Sequence, residues 1–479
     1  MSVKEAEAVA APEKGAVAHP GPAAREARGK AARGQSPRAT HADLQLRPDR
    51  DPVAIVDADT PSRLPELVPI RYGRMLVSPF TFYRGAAGLM ADDLAATGSS
   101  GLHAQLCGDA HLSNFGGFAS PSRDLVFDLN DFDETLVGPF EWDVKRLATS
   151  FEIAGRDRGF DKRQRRAAVL ASVRAYRESI RAFAAMGHLA VWYARLNADQ
   201  VSAQLREQQD KKQAKEVERV AAKARTKDSL KAFSKLTYLV DGEPRIVSDP
   251  PLIVPIEELV EGASREEITA GILALFEGYS RSLQPDRRRL VQGFRCVDLA
   301  RKVVGVGSVG TRCWILLLLG RDESDPLFLQ VKEAGPSVLE SHLGRSQYRN
   351  HGQRIVEGQR LMQAAGDIFL GWIRNKAGVD GKQRDFYVRQ LWDWKTSVDT
   401  ATIVPRGLEL YAGACGWTLA RAHARSGDRI AISSYLGKSE VFDGAVADFA
   451  ETYADQNERD YDALVAASRD GRIKVEEGL

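Results

Sequence analysis

Two short acidic clusters, each directly after an apolar strand-like run, constrain this chain more than any other feature. The first, "CGDAHLSNFG" at 107–116, follows "LHAQL", and the second, "NDFDE" at 130–134, follows "DLVFDL". Carboxylates beside buried strands destabilise a fold strongly unless they are paired or bind a metal ion. We therefore expect the strand ends to bring these carboxylates together at a site that uses their charge.

The composition excludes several classes of protein. With 479 residues, 43% hydrophobic and 28% charged, the chain resembles a globular protein of two or three domains. The 67 Lys and Arg nearly balance the 65 Asp and Glu, and the net charge of +2 predicts neither nucleic acid nor an anionic membrane as a partner. The 4 scattered cysteines and the absence of an apolar signal segment predict a cytoplasmic protein.

Changes in composition divide the chain into four expected parts of an α+β protein. The expected parts are a disordered tail (1–45), a helix-rich large lobe that carries both acidic clusters (46–300), a β-rich small lobe (301–400) and C-terminal helices that return to the large lobe (401–479). The tail is rich in Ala, Gly, Pro, Arg and Glu, a mixture that cannot bury a core. The small lobe contains "ILLLL", which is too short to span a bilayer and predicts a buried strand.

A glycine-rich loop lies at the start of the β-rich part. In "GVGSVG" the glycines are Gly305, Gly307 and Gly310. A dinucleotide-binding unit would continue into a helix, whereas "TRCWILLLL" follows here and indicates a strand. Glycines between two strands are typical of the kinase loop that lies over nucleotide phosphates, because the backbone approaches them closely. A plain hairpin turn is the alternative interpretation.

The next strand-like run carries a lysine. "FLQVKEA" places Lys332 in an apolar strand, on the second arm of a hairpin whose turn is "RDESD". Such a lysine either points to water at a sheet edge or reaches nucleotide phosphates and pairs with a helix glutamate. Glu340 and Glu357 both lie in the predicted helix that follows. We prefer Glu357, which is in the middle of that helix, as the residue that completes the nucleotide site.

The two acidic clusters supply three oxygen ligands, from Asp109, Asn114 and Asp131. Phosphoryl transfer needs one carboxylate that orients the attacking hydroxyl, and an Asn and an Asp that hold Mg²⁺ against the phosphates. A competing hypothesis is a metallophosphoesterase, in which "GDAH" contributes to a two-metal centre. That site requires further metal-binding motifs, and "RNHGQ" at 349–353 is the nearest candidate.

The same residues resemble known families. "CGDAHLSNFG" with "VFDLNDFDE" resembles the catalytic and metal-binding segments of aminoglycoside-phosphotransferase-like kinases, and "GWTLARAHARSGD" (416–428) resembles the helix before their catalytic loop. "SPFTFYRGAAGLM", "GVGSVGTRC" and "LFLQVKEA" are similar to the bacterial domain-of-unknown-function 2252 family, which is uncharacterised. The kinase resemblance implies that Asp109 is the catalytic base, that Asn114 and Asp131 bind Mg²⁺, and that Lys332 contacts the phosphates.

The order of these motifs departs from that of the kinases. There the glycine loop and lysine precede the catalytic Asp, whereas here they follow it. No lysine occurs between Ala31 and Val144, so no upstream residue can replace Lys332. The resemblance therefore implies a circularly permuted two-lobe kinase-like fold, which is feasible because domain termini often lie close together. Arg312 is a second departure, since kinases usually place a small β-branched residue after the glycine loop.

The expected activity is the transfer of the γ-phosphoryl group of ATP, with Mg²⁺, to a hydroxyl of a small-molecule acceptor. Two alternatives stay open. The same residues could form a nucleotide-binding regulatory module without turnover, or they could hold ATP in a reversed pose for nucleotidyl transfer.

Overall fold

The computed structural model describes residues 20–207, 211–259, 265–376 and 381–478. Helices and strands both contribute, and the protein is of mixed α and β type, as expected. The helices are α1 (Pro22–Gln35), α2 (Pro52–Asp57), α3 (Val68–Met75), α4 (Pro79–Gly85), α5 (Ala87–Ala96), α6 (Phe140–Asp157), α7 (Lys162–Ala185), α8 (His188–Tyr193), α9 (Ala198–Glu207), α10 (Lys211–Arg225), α11 (Ser229–Leu236), α12 (Arg265–Ser280), α13 (Pro285–Val291), α14 (Glu340–Leu343), α15 (His351–Met362), α16 (Pro405–Ser426), α17 (Arg429–Leu436) and α18 (Val441–Arg469). The strands are β1 (His103–Leu106), β2 (Phe115–Ala119), β3 (Leu125–Leu129), β4 (Leu136–Pro139), β5 (Leu196–Asn197), β6 (Thr237–Val240), β7 (Glu243–Ile246), β8 (Ile253–Pro255), β9 (Arg295–Lys302), β10 (Cys313–Leu319), β11 (Pro326–Ala334), β12 (Gly371–Asn375) and β13 (Arg384–Gln390). None of the helices in these described ranges is long and apolar enough to cross a membrane.

The N-terminal segment is ordered from α1 onward. Helix α1 packs on α17, and the side chain of Arg25 pairs with Asp428 at 2.8 Å. Gly29 is buried in this contact, where a side chain would collide with α17. The expectation of a disordered tail over 1–45 is therefore wrong for α1 and the segment after it, because small side chains let α1 dock closely. Residues 1–19 of that tail lie outside the described residues.

A six-stranded antiparallel sheet contains the predicted glycine loop and lysine. Its strand order is β12-β13-β11-β10-β9-β8. The glycine loop connects β9 to β10, and the predicted hairpin of β10 and β11 is confirmed. Lys332 on β11 lies between Cys313 of β10 and Tyr387 of β13. Strands β8 and β9 belong to this sheet, and β8 and most of β9 precede residue 301. The β-rich part therefore begins earlier than the sequence predicted.

The helical part of the protein is organised around α6, α7, α16 and α18, which pack against one another. The rings of Phe140 and Tyr176 stack there with centroids 6.0 Å apart. A buried ion pair between Arg177 and Asp443 at 2.8 Å ties α7 to α18. Aromatic packing and paired charges therefore hold the scaffold that carries the acidic clusters.

The two acidic clusters connect short strands beside this helical core. The first cluster joins β1 to β2, and the second joins β3 to β4, while β1 pairs with β4 and β2 with β3. The end of α16 meets the beginning of β1, since the N–H of Gln105 donates to Oγ of Ser426 at 3.2 Å. Gly427 lies so close to Ala104 that a Cβ on this glycine would be 2.9 Å from the Cβ of Ala104. A helix near the end of the chain thus directly supports the strand that enters the first cluster.

Candidate active site

A cleft of about 750 Å³ lies where the glycine loop faces the two acidic clusters. Asp109, Asn114 and Asp131 line it, together with Gly305 and Gly307. The remaining lining residues come mainly from segments 55–63, 84–92 and 333–342. The structure thus brings the three predicted oxygen ligands and two of the three glycines to one place, although the chain separates them widely.

The loop that carries Asp109 is held by a carboxylate of α6. Asp143 accepts the backbone N–H groups of Cys107 at 2.8 Å and of Gly108 at 3.1 Å. Gly108 has φ +82, a conformation that glycine adopts readily and other residues rarely do. Nε2 of the buried His423 lies 3.3 Å from Asp143 on the other side. Asp143 therefore orders this loop from within the core.

The carboxylate of Asp109 contacts the guanidinium of Arg146 at 2.6 Å. Burial raises the pKa of Asp109, and the positive charge of Arg146 opposes this effect. His111 lies 3.7 Å from the second carboxylate oxygen, and burial, reinforced by the nearby arginines, holds the pKa of His111 well below its ordinary value. Oδ1 of Asp109 is thus fixed by a cation, while Oδ2 lies beside a neutral imidazole.

A backbone hydrogen bond connects the segments that carry Asn114 and Asp131, since the N–H of Asn130 donates to the carbonyl of Asn114 at 2.8 Å. Nδ2 of Asn114 donates to the carbonyl of Asp109. Oδ1 of Asn114 accepts no hydrogen bond from the described residues. Burial and then the charge of Asp133 raise the pKa of Asp131, which has no ion-pair partner in the described chain. Amide and carboxylate oxygens are ligands that Mg²⁺ prefers, so this pair fits such an ion. In the described ranges, no group of three or more His, Cys, Asp or Glu side chains is arranged to hold a metal ion.

Lys332 is bound to the second acidic cluster. Its Nζ lies 2.6 Å from Asp133, which also accepts the hydroxyl of Tyr387 at 2.6 Å. Burial alone would raise the pKa of Asp133, but the charge of Lys332 holds it below its ordinary value. Asp133 lines the cleft, whereas Lys332 does not. The ammonium of Lys332 therefore acts on the cleft indirectly, by its contact with this carboxylate.

The expected pair between Lys332 and Glu357 is not formed. Glu357 instead contacts Arg360 at 3.2 Å and lies outside the cleft lining. The reason is the rotation of α15, which directs Arg354 toward the second acidic cluster. Arg354 donates to the backbone carbonyl of Asp133 at 2.8 Å. The helix thus contributes a cation where the sequence interpretation expected an anion.

The glycine loop is tied to the N-terminal segment. Gly305 and Gly310 have φ +71 and +92. Arg74 donates to the carbonyl of Gly305 at 2.7 Å, and Arg63 donates to that of Gly307 at 2.8 Å. Gly310 lies against Arg63, where a Cβ would be 3.0 Å from the arginine Cβ, and it is outside the cleft lining. Two glycines therefore face the cleft, and the third allows close packing behind it.

The sequence analysis did not identify two arginines that lie at this site. Arg146 follows Asp143 by three residues, a spacing that places both on one face of α6, and this signal could have identified it. Arg84 lines the cleft at the end of α4, and burial lowers its pKa. Nε of Arg84 is buried without a hydrogen-bond partner among the described residues. The sequence offers no comparable signal for Arg84.

The motif required by the phosphoesterase hypothesis lies elsewhere. Asn350 of "RNHGQ" caps α15 by accepting the N–H of Gln353 at 2.9 Å. The backbone N–H of His351 donates to Asp385 at 2.9 Å. Both residues are outside the cleft lining. The motif therefore forms the beginning of α15 and is hydrogen-bonded to a side chain of β13.

Comparisons with known proteins place the chain in a family. Searches of curated proteins and of solved structures found no match to this chain. A family model described as an uncharacterised protein conserved in bacteria matches residues 63–467, a range that contains both acidic clusters and the glycine loop. The chain therefore belongs to the DUF2252 family.

Proposed function

We propose that the protein is an ATP- and Mg²⁺-dependent phosphotransferase that acts on a hydroxyl of a small-molecule acceptor. The observation that carries this proposal is the convergence of Asp109, Asn114 and Asp131 on one cleft beneath Gly305 and Gly307. Phosphoryl transfer requires little covalent chemistry from the protein, and its rate comes from positioning and charge stabilisation. The cleft supplies groups of the types that this chemistry uses.

Asp109 is proposed to orient the acceptor. Arg146 binds one oxygen of its carboxylate at 2.6 Å, and so the other oxygen is available to a hydroxyl in the cleft. That oxygen would accept the hydroxyl proton as the new bond to phosphorus forms. Arg146 is a positioning residue in this scheme, because it fixes the carboxylate and does not touch the substrate.

Asn114 and Asp131 are proposed to hold Mg²⁺ through Oδ1 of the amide and the carboxylate. The bound ion would neutralise charge on the phosphate oxygens. The proximity of Asp133 favours this role, since a cation at Asp131 relieves the repulsion between the two carboxylates. Lys332 would add positive charge from behind Asp133.

We also propose a kinase-like two-lobe arrangement in which the chain is circularly permuted. One support is the order of strand β9, glycine loop, β10, the lysine strand β11, helix α15 and two further strands in one sheet. A second support is the contact of Ser426 and Gly427 with β1. The helix that resembles the one before a kinase catalytic loop ends beside the strand that enters the first cluster. Packing would thus replace the covalent connection of the unpermuted order.

The first experiment is a thermal-unfolding titration with ATP, with and without Mg²⁺. A nucleotide at one hundred times its dissociation constant stabilises the folded state by about 2.7 kcal/mol. We expect a Mg²⁺-dependent rise in Tm for the wild type, a smaller rise for Asp131→Asn, and a wild-type response from Asp157→Asn. Asp157 is an exposed residue at the end of α6 and serves as the matched control. No rise at saturating Mg²⁺ and ATP would refute the proposal.

The second experiment separates phosphoryl transfer from its alternatives. ATP labelled at either the α- or the γ-phosphate is incubated with a panel of small hydroxyl compounds. Transfer of the γ label with release of ADP supports the proposal. Transfer of the α label with release of pyrophosphate would indicate nucleotidyl transfer, and binding without either product across the panel would favour the regulatory module.

A further inference from the structure

We infer that Arg389 and Lys395 form an anion-binding site that takes a phosphate-type group, in a second cavity that shares no lining residue with the cleft. Both side chains line a second cavity of about 280 Å³, together with Asn130 of the second acidic cluster. Sites for drug-sized ligands begin at about 300 Å³, so this cavity suits a small anion better than a whole nucleotide. The inference concerns binding alone and does not require that the protein transfers a phosphoryl group.

Arg389 is fixed by neutral acceptors. Its Nε donates to Oε1 of Gln330 at 3.0 Å, and Nη1 donates to the backbone carbonyl of Asn130 at 3.1 Å. No carboxylate in the described chain forms an ion pair with Arg389, although guanidinium groups in protein interiors are usually paired. A guanidinium has five N–H donors, so this arrangement leaves donors for a ligand oxygen.

Lys395 is presented by a segment that is anchored on both sides. Thr396 and Gly117 exchange two backbone hydrogen bonds of 2.9 Å. The guanidinium of Arg123 lies 4.3 Å from the ring centroid of Trp394. The side chain of Lys395 is exposed to the second cavity, and it has no hydrogen-bond or ion-pair partner among the described residues. Its position is thus fixed while its ammonium stays available.

The carboxylates of the second cavity do not neutralise these two cations. Asp393 pairs with Arg123 at 2.9 Å. Asp367 accepts two backbone N–H groups, at 2.5 and 2.8 Å. Both acids of the cavity therefore have other partners, and neither forms an ion pair with Arg389 or Lys395 among the described residues.

Charged groups of both signs act on Lys395. Arg389 and Lys332 repel it, whereas Asp131 and Asp133 attract it. The charge of Arg389 has the largest effect and lowers the pKa of Lys395 to about 7. A phosphate between the two cations would remove this repulsion and form charge-assisted hydrogen bonds with both. Binding of an anion should therefore be coupled to protonation of Lys395.

The test is binding of inorganic tripolyphosphate to the full chain, measured by calorimetry in the presence of a chelator so that no Mg²⁺ contributes. Lys395→Met is the main variant, because the side chain of Lys395 forms no hydrogen bond or ion pair among the described residues that the change would break. We expect its dissociation constant to rise about tenfold or more, in line with the loss of one charged hydrogen bond. Lys395→Arg should stay close to wild type, and Lys235→Met, a change of an exposed lysine on α11, should not alter binding.

Equal affinity of Lys395→Met and wild type, or no binding of tripolyphosphate to the wild type, would overturn the inference. Competition by ATP and adenosine identifies the source of the anion once binding is established. Displacement by ATP but not by adenosine assigns the site to nucleotide phosphates, and no displacement by either assigns it to free phosphate species. The proposed phosphotransferase could fail its own test while this binding persists, so the two outcomes are distinguishable.

Discussion

Replacement of Asp133 by asparagine should destabilise the protein because it leaves the ammonium of Lys332 buried without its counterion. The side chain of Lys332 is 3% exposed and that of Asp133 is 28% exposed. Breaking a fully buried ion pair costs about 3–5 kcal/mol. Since water still reaches part of Asp133, we expect a loss at the lower limit, about 3 kcal/mol. The entropy of unfolding, about 2.1 cal/mol/K per residue, amounts to about 1 kcal/mol/K for this chain, which converts the loss to a Tm decrease of about 3 °C.

The assay is thermal unfolding of a double-mutant cycle. Asp133→Asn and Lys332→Met each leave an unpaired charge or polar group, whereas the double variant removes both charges. We therefore expect the double variant to be more stable than the sum of the single losses implies, with a coupling energy of about 2 kcal/mol. Tyr387→Phe is the matched control, because it removes a hydrogen bond to the same carboxylate without removing a charge and should cost about 1 kcal/mol.

Additive losses in the double variant would refute this account of the pair. The same conclusion would follow if Tyr387→Phe destabilised the protein as much as Asp133→Asn, because the hydrogen bond and not the charge would then dominate.

Three further changes have defined outcomes. Asp109→Asn should lower turnover by roughly 10²–10⁴-fold and leave the affinity for ATP within about twofold. Steady-state kinetics and an ATP titration would measure these two effects. Unchanged turnover would remove Asp109 from the mechanism. Burial lowers the pKa of His41 to about 3, so the unfolded chain gains a proton first as the pH falls. The free energy of unfolding should therefore decrease as the pH falls below about 6.5, by at most about 1.4 kcal/mol per pH unit. His41→Gln should show a flatter profile of Tm against pH. An equally steep profile would exclude His41 as the cause. Because the pKa of Lys395 is about 7, this amine should react with acetic anhydride at pH 7 faster than Lys235 does, as measured by mass spectrometry of peptides, and equal rates would contradict the shift.

Local signals in the sequence were sufficient for several of the strands around the site. The hairpin of β10 and β11 follows from two apolar runs separated by the turn "RDESD". The strands before each acidic cluster follow in the same way from apolar runs that end in polar residues. In each case the residues that decide the structure are neighbours in the chain. Asp109, Asn114 and Asp131 could be located because these strand ends fix where they emerge.

Rotation and docking of helices could not be obtained from the same signals. Arg354 and Glu357 are three residues apart on α15, and only the packing of that helix decides which one meets the second acidic cluster. Helix α1 is a similar case, because its composition resembles that of a disordered segment until Gly29 is placed against α17. The sequence gives no signal for Lys395, because its proposed role in anion binding depends on the distant Gly117, to which its neighbour Thr396 is hydrogen-bonded.

The contact between α16 and β1 gives the proposed permutation a physical consequence. Gln105 and Ser426 are separated by 321 positions in sequence, yet their hydrogen bond lies at the entrance to the loop of Asp109. By the logarithmic dependence of loop entropy on length, closing a loop of that size costs about 5 kcal/mol. In an unpermuted chain, the helix would be joined to this strand directly along the backbone. Here packing between distant segments of the chain supports the loop. The buried Arg50 makes another contact of this kind, because it pairs with Asp93 at 2.5 Å and with Asp460 at 2.6 Å.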